Sequence, residues 1–377
     1  MKVALVHEWL TTLGGSERVV WAFHRMFPDA PVFTTVHRQD LLPAEFKQLD
    51  VRPSFLQRIP GATRHYQKFL PLMPLAFEQF DVSEYDLVLS SSHACAKGVV
   101  TRPETVHVCY THTPMRYAWD LYHSYLETVS PLMRPLAAVL LSNLRQWDVL
   151  AANRVDRFVA NSREVARRIN KHYRRPAEVI PPPIDVERFD VAPSSEIGDH
   201  LLVVSRFVPY KRVDLAVQAA NRTGMPLKVV GDGPLYAELK AMAKPNVTFL
   251  GHLNDREVAQ EMARCRALIF SSFEDFGLVP LEVQACGRPI IAYGAGGALE
   301  TVIDGVTGLF FPEQTAESLE LALKRLDRTD FEPTAIRRHA ESFGYEAFSA
   351  RMHALIDEAI ARRRSGEIML ETEALYG

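Results

Sequence analysis

The chain has 377 residues, 47 % hydrophobic and 24 % charged, with a formal net charge of −3 at pH 7. That near balance, with no long basic run, argues against nucleic acid as a partner, and the length favours two hydrophobic cores over one. No apolar run reaches the roughly 18 residues that a transmembrane helix needs. The four cysteines, Cys95, Cys109, Cys265 and Cys286, sit in apolar surroundings without metal-ligand spacing. They read as buried thiols of a cytoplasmic protein. The opening MKVALVHEWL is too short in its apolar part for a secretory signal and runs straight into a strand.

Taken in order, Val3 to Val6 is the short apolar run expected of a parallel strand buried on both faces. It is followed by Gly14 and Gly15, with Ser16 as the expected N-cap and Glu17 in the first turn of an apolar helix. Glycines there let the backbone approach a phosphate, although such a pair more often makes only a tight turn. Val32 to Val36 is a second strand. Residues 51–80 interleave Arg52, Arg58, Arg64 and Lys68 with Leu56, Ile59, Tyr66, Phe69, Leu72 and Met73. Two readings stand for this stretch: a basic, aromatic surface lying on an anionic membrane, or a pair of amphipathic helices covering the sheet.

Asp86 to Ser90 and Val106 to Tyr110 are the next strands, and His112 follows the second of them. Ligands of open parallel sheets gather beyond the carboxyl ends of the strands, so His112 is a candidate for substrate contact. A long helix is expected over 128–155, then a strand from Arg157 to Ala160 and another helix. Pro181, Pro182 and Pro183 can continue neither a helix nor a central strand and mark the domain boundary.

A second strand and helix cycle begins at Leu201. Arg206 and Lys211 lie between its first strand and the helix from about Val213, two cations placed to hold a diphosphate. Leu227 to Val230, Val247 to Leu250, Ala267 to Phe270, Ile290 to Ala292 and Leu309 to Phe311 are further strands, with Gly296 and Gly297 opening toward a short helix. The segment SSFEDFGLVPLEVQACGRPIIA carries Glu274 at the end of a strand, turns through Gly277, and enters a helix bearing Glu282. Free N–H groups at such a helix start suit an anionic or hydroxyl-rich ligand. The last helix is expected from Glu346 to Arg364.

Five motifs occur in one order over nearly the whole chain: GGSERVV at 14–20, SRFVPYK at 205–211, VGDGP at 230–234, EDFGLVPLE at 274–282 and GGALE at 296–300. The set resembles the retaining glycosyltransferases of family four. That resemblance implies an α/β GT-B fold, two facing Rossmann-like domains with a cleft between them. Residues 1–183 would form the acceptor-side domain and 184–345 the donor domain, with 346–377 packing back on the first.

The roles it implies are these. Arg206 and Lys211 neutralise the diphosphate as the glycosidic bond breaks, Gly14 and Gly15 hold the same group, and Glu274 accepts from sugar hydroxyls. Glu282 holds the nucleotide ribose, amides around Phe276, Gly277 and Leu278 add contacts, and His112 lines the reacting centre. The donor's own diphosphate takes the acceptor's proton, so Glu274 and Glu282 are not the acid and nucleophile of a glycosidase. No metal or cofactor is implied, and there is no Asp-x-Asp motif. The region CYTHTPMRYAWD at 109–120 resembles bacterial enzymes that add mannose to lipid-linked saccharides. It points to GDP-mannose as donor, to a saccharide or polyprenyl-diphosphate-linked acceptor, and to peripheral contact with the inner face of the cell membrane. The interdomain IPPPID lacks the Asn usual in the family but keeps Asp185. A UDP-sugar enzyme of the same fold, a sugar-nucleotide-binding protein without activity, and an epimerase are the alternatives.

Overall fold

The computed structural model describes residues 1–365; the end of the expected C-terminal segment, 366–377, lies outside the described residues. The chain divides into two compact units, Met1–Pro182 together with the segment from Phe348 onward, and Pro183–Ala347.

The first unit is built on a seven-stranded sheet in the order β3-β2-β1-β4-β5-β6-β7. Its strands are β1 (Val3–His7), β2 (Val32–Thr34), β3 (Val51–Pro53), β4 (Leu87–Ser92), β5 (Val106–Thr111), β6 (Arg157–Ala160) and β7 (Glu178–Val179). All pairs are parallel. Every residue of β1, β4 and β5 is buried, as expected of strands covered on both faces. The chain leaves β1 toward β2 and β3 and then returns to place β4 on the opposite side of β1. This reversal is the topological switch point at which open α/β sheets leave a crevice.

The second unit repeats the plan with six parallel strands in the order β10-β9-β8-β11-β12-β13. They are β8 (Leu201–Val204), β9 (Leu227–Val230), β10 (Val247–Gly251), β11 (Ala267–Phe270), β12 (Ile290–Tyr293) and β13 (Gly308–Phe311). Its switch point lies between β8 and β11.

The final helix, Tyr345–Ser365, packs within the first unit, where Phe348 stacks on Phe23 at 5.9 Å and meets Tyr110 edge-on at 5.8 Å. The first unit also holds a buried ionic staple. Lys97 Nζ donates to Asp148, which also accepts from Trp119 Nε1 at 2.8 Å and Tyr173 Oη at 2.9 Å.

Three local expectations are corrected. Residues 51–80 do not form a pair of amphipathic helices. They run as strand β3, 3₁₀ turns over Phe55–Arg58 and Tyr66–Leu72, and one short helix, Met73–Glu78. Pro53, Pro60, Pro71 and Pro74 interrupt every longer run of i→i−4 bonds. Leu56, Met73 and Phe77 enter the core and Ile59, Tyr66 and Phe69 pack against it, so the stretch covers the sheet. The helix expected over 128–155 is shorter, running from Arg134 to Ala152, and Ser130 and Pro131 separate it from a short preceding helix, Tyr122–Thr128. Lastly, Gly14 and not Ser16 caps the helix Gly15–Met26. The Glu17 carboxylate reaches back to the Gly14 N–H at 2.9 Å, and Ser16 stands in the first turn.

Candidate functional site

The sequence-derived candidates fall into two groups, one at the switch point of each sheet. In the second unit, Arg206 and Lys211 occupy the loop after β8, and Glu274 the loop after β11. The hydroxyl of Ser271, the residue after β11, donates to the Arg212 carbonyl at 2.7 Å and ties the two loops together. Lys211 Nζ then sits 2.5 Å from Glu274 Oε1, which also accepts from Ser272 Oγ at 2.7 Å. Both side chains are largely screened from solvent, at 17 % and 22 % exposure. Arg206 stands apart from this pair: it is exposed and its side chain makes no hydrogen bond or ion pair among the described residues.

Phe276 is buried, Gly277 takes φ +94° and caps the helix Leu278–Ala285, and Leu278 is the first helical residue. Gly277 is needed at that left-handed angle, and a Cβ there would also meet the Phe270 ring at 3.0 Å. Gly297 closes the wall of the site. Its N–H donates to the Glu274 carbonyl at 2.9 Å, and a Cβ at that position would lie 2.2 Å from the Phe276 carbonyl oxygen. Glu282 lies on the next turn of Leu278–Ala285 and is buried, at 8 % exposure. The structure therefore joins Lys211 to Glu274 and fixes the Phe276–Leu278 turn beside them. What it presents is a lysine already holding an anion beside the start of a helix, with exposed Arg206 on the same loop as Lys211, which is chemistry suited to a diphosphate and sugar hydroxyls.

In the first unit, Gly14 and Gly15 follow β1 and begin the helix Gly15–Met26, while His112 follows β5. Between them runs a set of side chains that sequence reading did not single out. Glu17 Oε2 accepts from Gly14 N at 2.9 Å and from Ser16 Oγ at 3.0 Å, while Glu17 Oε1 lies 3.4 Å from His7 Nε2. His7 Nδ1 is 3.1 Å from Ser91 Oγ and 3.2 Å from the Ser91 carbonyl, and Ser91 Oγ is 2.8 Å from His112 Nε2. Sheet register makes this chain of contacts, since His7 pairs with Ser91 across β1 and β4 and Ser91 with Tyr110 across β4 and β5.

Burial pulls the Glu17 carboxyl upward, but the His7 imidazole beside it outweighs that and holds it below its ordinary value. His112 is pushed well below the ordinary imidazole value, first by desolvation and then by the neighbouring His93 and His7, so it is neutral. His93 completes the cluster, its ring 4.7 Å from Trp9 and 6.2 Å from His112.

Glu8, likewise unforeseen, is fully buried yet below its ordinary value. The cost of burial is outweighed by His93 and by the amides of Ala96, Cys95 and Ala94. Its carboxylate accepts from Ser92 Oγ and from four successive N–H groups, His93 to Ala96, at 2.7–3.1 Å. It shapes the loop that carries His93, with Oε1 taking four of these donors and Oε2 the Cys95 N–H. Nothing in the local sequence marks it. For Glu17 a signal existed, a Glu at the third helical position that fits a capping box. Among the described residues no group of three or more His, Cys, Asp or Glu side chains could hold a metal ion.

Two doubly wound sheets, each with its polar loops at the switch point, define an α/β protein of GT-B fold. Comparison with known families places it more closely. The chain belongs to the group 1 glycosyltransferases: the Glycosyltransferase Family 4 model matches residues 13–188 and the Glycosyl transferases group 1 model matches residues 188–343. It is 31 % identical over 224 residues to a D-inositol 3-phosphate glycosyltransferase of Geodermatophilus obscurus, covering 51 % of this chain and 50 % of that protein. Against the O-antigen chain mannosyltransferase C of Escherichia coli it is 30 % identical over 222 residues, covering 54 % and 58 %. The chain spans about half the length of the curated relatives it matches. Among solved structures, Anabaena HepE in complex with UDP-glucose superposes with a TM-score of 0.67 at 20 % identity, covering 95 % of this chain and all of that one. The fold is shared.

Proposed function

We propose that this protein is a retaining glycosyltransferase that moves a hexose from a nucleoside diphosphate sugar to a saccharide or lipid-linked saccharide. The observation that carries the proposal is the Lys211–Glu274 pair at the switch point of the second sheet. A diphosphate reaching Lys211 Nζ exchanges one anion for another and frees Glu274 Oε1 to accept from a sugar hydroxyl. Binding of the donor thus sets both residues to work. As the bond from the anomeric carbon to the diphosphate oxygen breaks, negative charge grows on the leaving group, and Lys211 with Arg206 stabilises it where it grows. The departing oxygen takes the proton of the acceptor hydroxyl, which attacks from the same face, so configuration is retained. Two cations in place around the leaving group do what a divalent ion would do, and turnover is expected to survive chelation. No cofactor enters this scheme.

Mannose from GDP-mannose is the proposed donor group, supported by the O-antigen mannosyltransferase relative and by the CYTHTPMRYAWD segment. A second reading, a phosphorylated polyol as acceptor, is favoured by the relatives named as D-inositol 3-phosphate glycosyltransferases. Contact with an anionic membrane is proposed through the helix Arg134–Ala152 and not through 51–80. Leu136, Val139 and Leu140 are exposed at helical spacing, and Leu132 is exposed in the turn just before the helix. Between Glu127 and Asp148 there is no carboxylate, and the charges are Arg134 and Arg145. An apolar stripe with only cations beside it suits an anionic lipid surface. Among the described residues no helix is long and apolar enough to cross a membrane.

Saturation-transfer NMR with GDP-mannose, UDP-glucose and their free nucleotides, followed by nucleotide release with each class of acceptor, tests the reading. Binding of a sugar nucleotide with no release under any acceptor would favour a binding protein over an enzyme.

A further inference from the structure

Arg212, between Lys211 and the helix Val213–Thr223, takes φ +50° and ψ +40°. Only one other non-glycine residue among the described residues, Arg174, has a positive φ. The left-handed region crowds any residue that carries a Cβ, and such strain persists only where the surroundings impose it. We infer that Ser271 and Gln314 are positioning residues that hold Arg212 at this angle and so aim Lys211 at Glu274 and at the leaving diphosphate. The diphosphate rests on the transferase reading above; the lock on Lys211 does not.

Rotation about the N–Cα bond of Arg212 swings Lys211 relative to the helix that follows, so the φ of Arg212 decides where the lysine side chain starts. The Ser271 hydroxyl donates to the Arg212 carbonyl at 2.7 Å and lies 3.3 Å from the Lys211 carbonyl. Two successive carbonyls thus face one hydroxyl, and Ser271 is only 4 % exposed, so little water competes for it. The Arg212 guanidinium also braces the turn, its Nε and Nη2 each 3.1 Å from the Asp214 carboxylate. Glu274 is held independently: Ser272 Oγ donates to its Oε1 at 2.7 Å, and the Gly297 N–H donates to its carbonyl at 2.9 Å. With the carboxylate fixed, the 2.5 Å contact made by Lys211 Nζ depends on the turn.

Ser271 is in turn held by Gln314, from the loop between β13 and the helix Ala316–Leu326. The Gln314 Nε2 donates to the Ser271 carbonyl at 2.8 Å. A carbonyl only accepts, so the amide nitrogen is the atom that faces it. Because β12 stands between β11 and β13 in the sheet, this one side chain ties the lysine's turn to a loop two strands away. Gln314→Glu keeps the shape and sets acceptor against acceptor, which releases Ser271 without opening a cavity. In Ser271→Ala the Arg212 carbonyl keeps the Leu215 N–H at 3.2 Å, so the helix start survives while the turn loosens.

The experiment is acetylation of the full chain by acetic anhydride, read lysine by lysine by mass spectrometry, on wild type, Ser271→Ala, Ser271→Thr, Gln314→Glu and Glu274→Gln. Lys211 should react severalfold faster in Ser271→Ala and Gln314→Glu, approaching its rate in Glu274→Gln. Lys228 and Lys240 of the same unit should keep their wild-type rates, and Ser271→Thr, which restores the hydroxyl, should stay close to wild type. In turnover the first two variants should lose about tenfold in kcat with donor KM little changed, short of the ~10²-fold that a misplacement of about 1 Å costs. Wild-type labelling of Lys211 in both variants would overturn the inference, and so would faster labelling of all three lysines together, which marks general loosening. Should Ser271→Ala fail to fold, Gln314→Glu decides alone on the same criteria. Release of Lys211 in a protein that transfers no sugar would support the lock and count against the transferase reading instead.

Discussion

Replacing Lys211 with methionine removes the charge while keeping most of the side chain's bulk, and the consequences divide between the free protein and the reaction. In the free protein, Lys211 and Glu274 are 2.5 Å apart at 17 % and 22 % exposure. Unit charges about 4 Å apart in surroundings of effective dielectric about 20 attract by ~4 kcal/mol, most of which desolvation offsets. The stability cost of Lys211→Met should therefore be only about 1 kcal/mol. In the reaction the lysine faces charge that grows on the leaving diphosphate, and losing such a donor typically costs about 10²–10³ in kcat, or ~3–4 kcal/mol. Donor affinity should fall far less, and Arg206→Ala should show the same split. For Glu274→Gln the loss is that of a charged hydrogen bond to a hydroxyl, ~1.5–3 kcal/mol. Because the pair separates onto diphosphate and sugar, the double variant should lose nearly the sum in kcat, while in thermal unfolding its members couple. Steady-state kinetics with a donor titration, alongside urea unfolding, reads both. Equal losses in kcat and donor affinity for Lys211→Met would refute the reasoning, since they would mean uniform binding.

Three further outcomes follow from the first unit. Asp148→Asn leaves Lys97 buried without its anion and should destabilise folding by roughly 3–5 kcal/mol in urea titration; a change below about 1 kcal/mol would contradict the staple. His107 is fully buried beside Ser90 Oγ, and its imidazole is pushed down to about 3 by desolvation, with Arg154 and Lys97 adding to it. Its folded pKa lies below the unfolded value, so the unfolded chain gains a proton that the native state refuses, and stability falls as pH drops from about 6.5 toward 3 at ~1.4 kcal/mol per unit. Between pH 6.5 and 5, wild type should lose about 2 kcal/mol more than His107→Gln, and parallel losses would contradict this. In co-sedimentation with anionic liposomes, Leu136→Glu with Val139→Glu should weaken binding, and salt should weaken it in the wild type. Unchanged binding would remove the helix Arg134–Ala152 from the membrane reading.

The fold was legible because its strands are short apolar runs buried on both faces, such as Ala267–Phe270, set off by glycine-rich loops that open helices. Period alone gave less where prolines intervene, as at Pro71 and Pro131, since apolar residues at helical spacing do not announce a broken backbone. The Lys211–Glu274 contact joins residues 63 positions apart, and its members could be named singly but not as a pair. The contacts running from Glu17 to His112 were hidden for the same reason. His7, Glu17, Ser91 and His112 become neighbours only through the register of β1, β4 and β5, which no local pattern encodes. Glu8 is the extreme case: a carboxylate held by four backbone amides and one serine hydroxyl leaves no mark in the sequence around it.

The most direct test is a transfer reaction with GDP-mannose labelled at the anomeric carbon and a polyprenyl-diphosphate-linked saccharide. The account predicts GDP release that depends on the acceptor, matched one for one by labelled mannose in the product with the donor's anomeric configuration. Release of no nucleoside diphosphate from this or any other sugar nucleotide, with acceptor present, would contradict it.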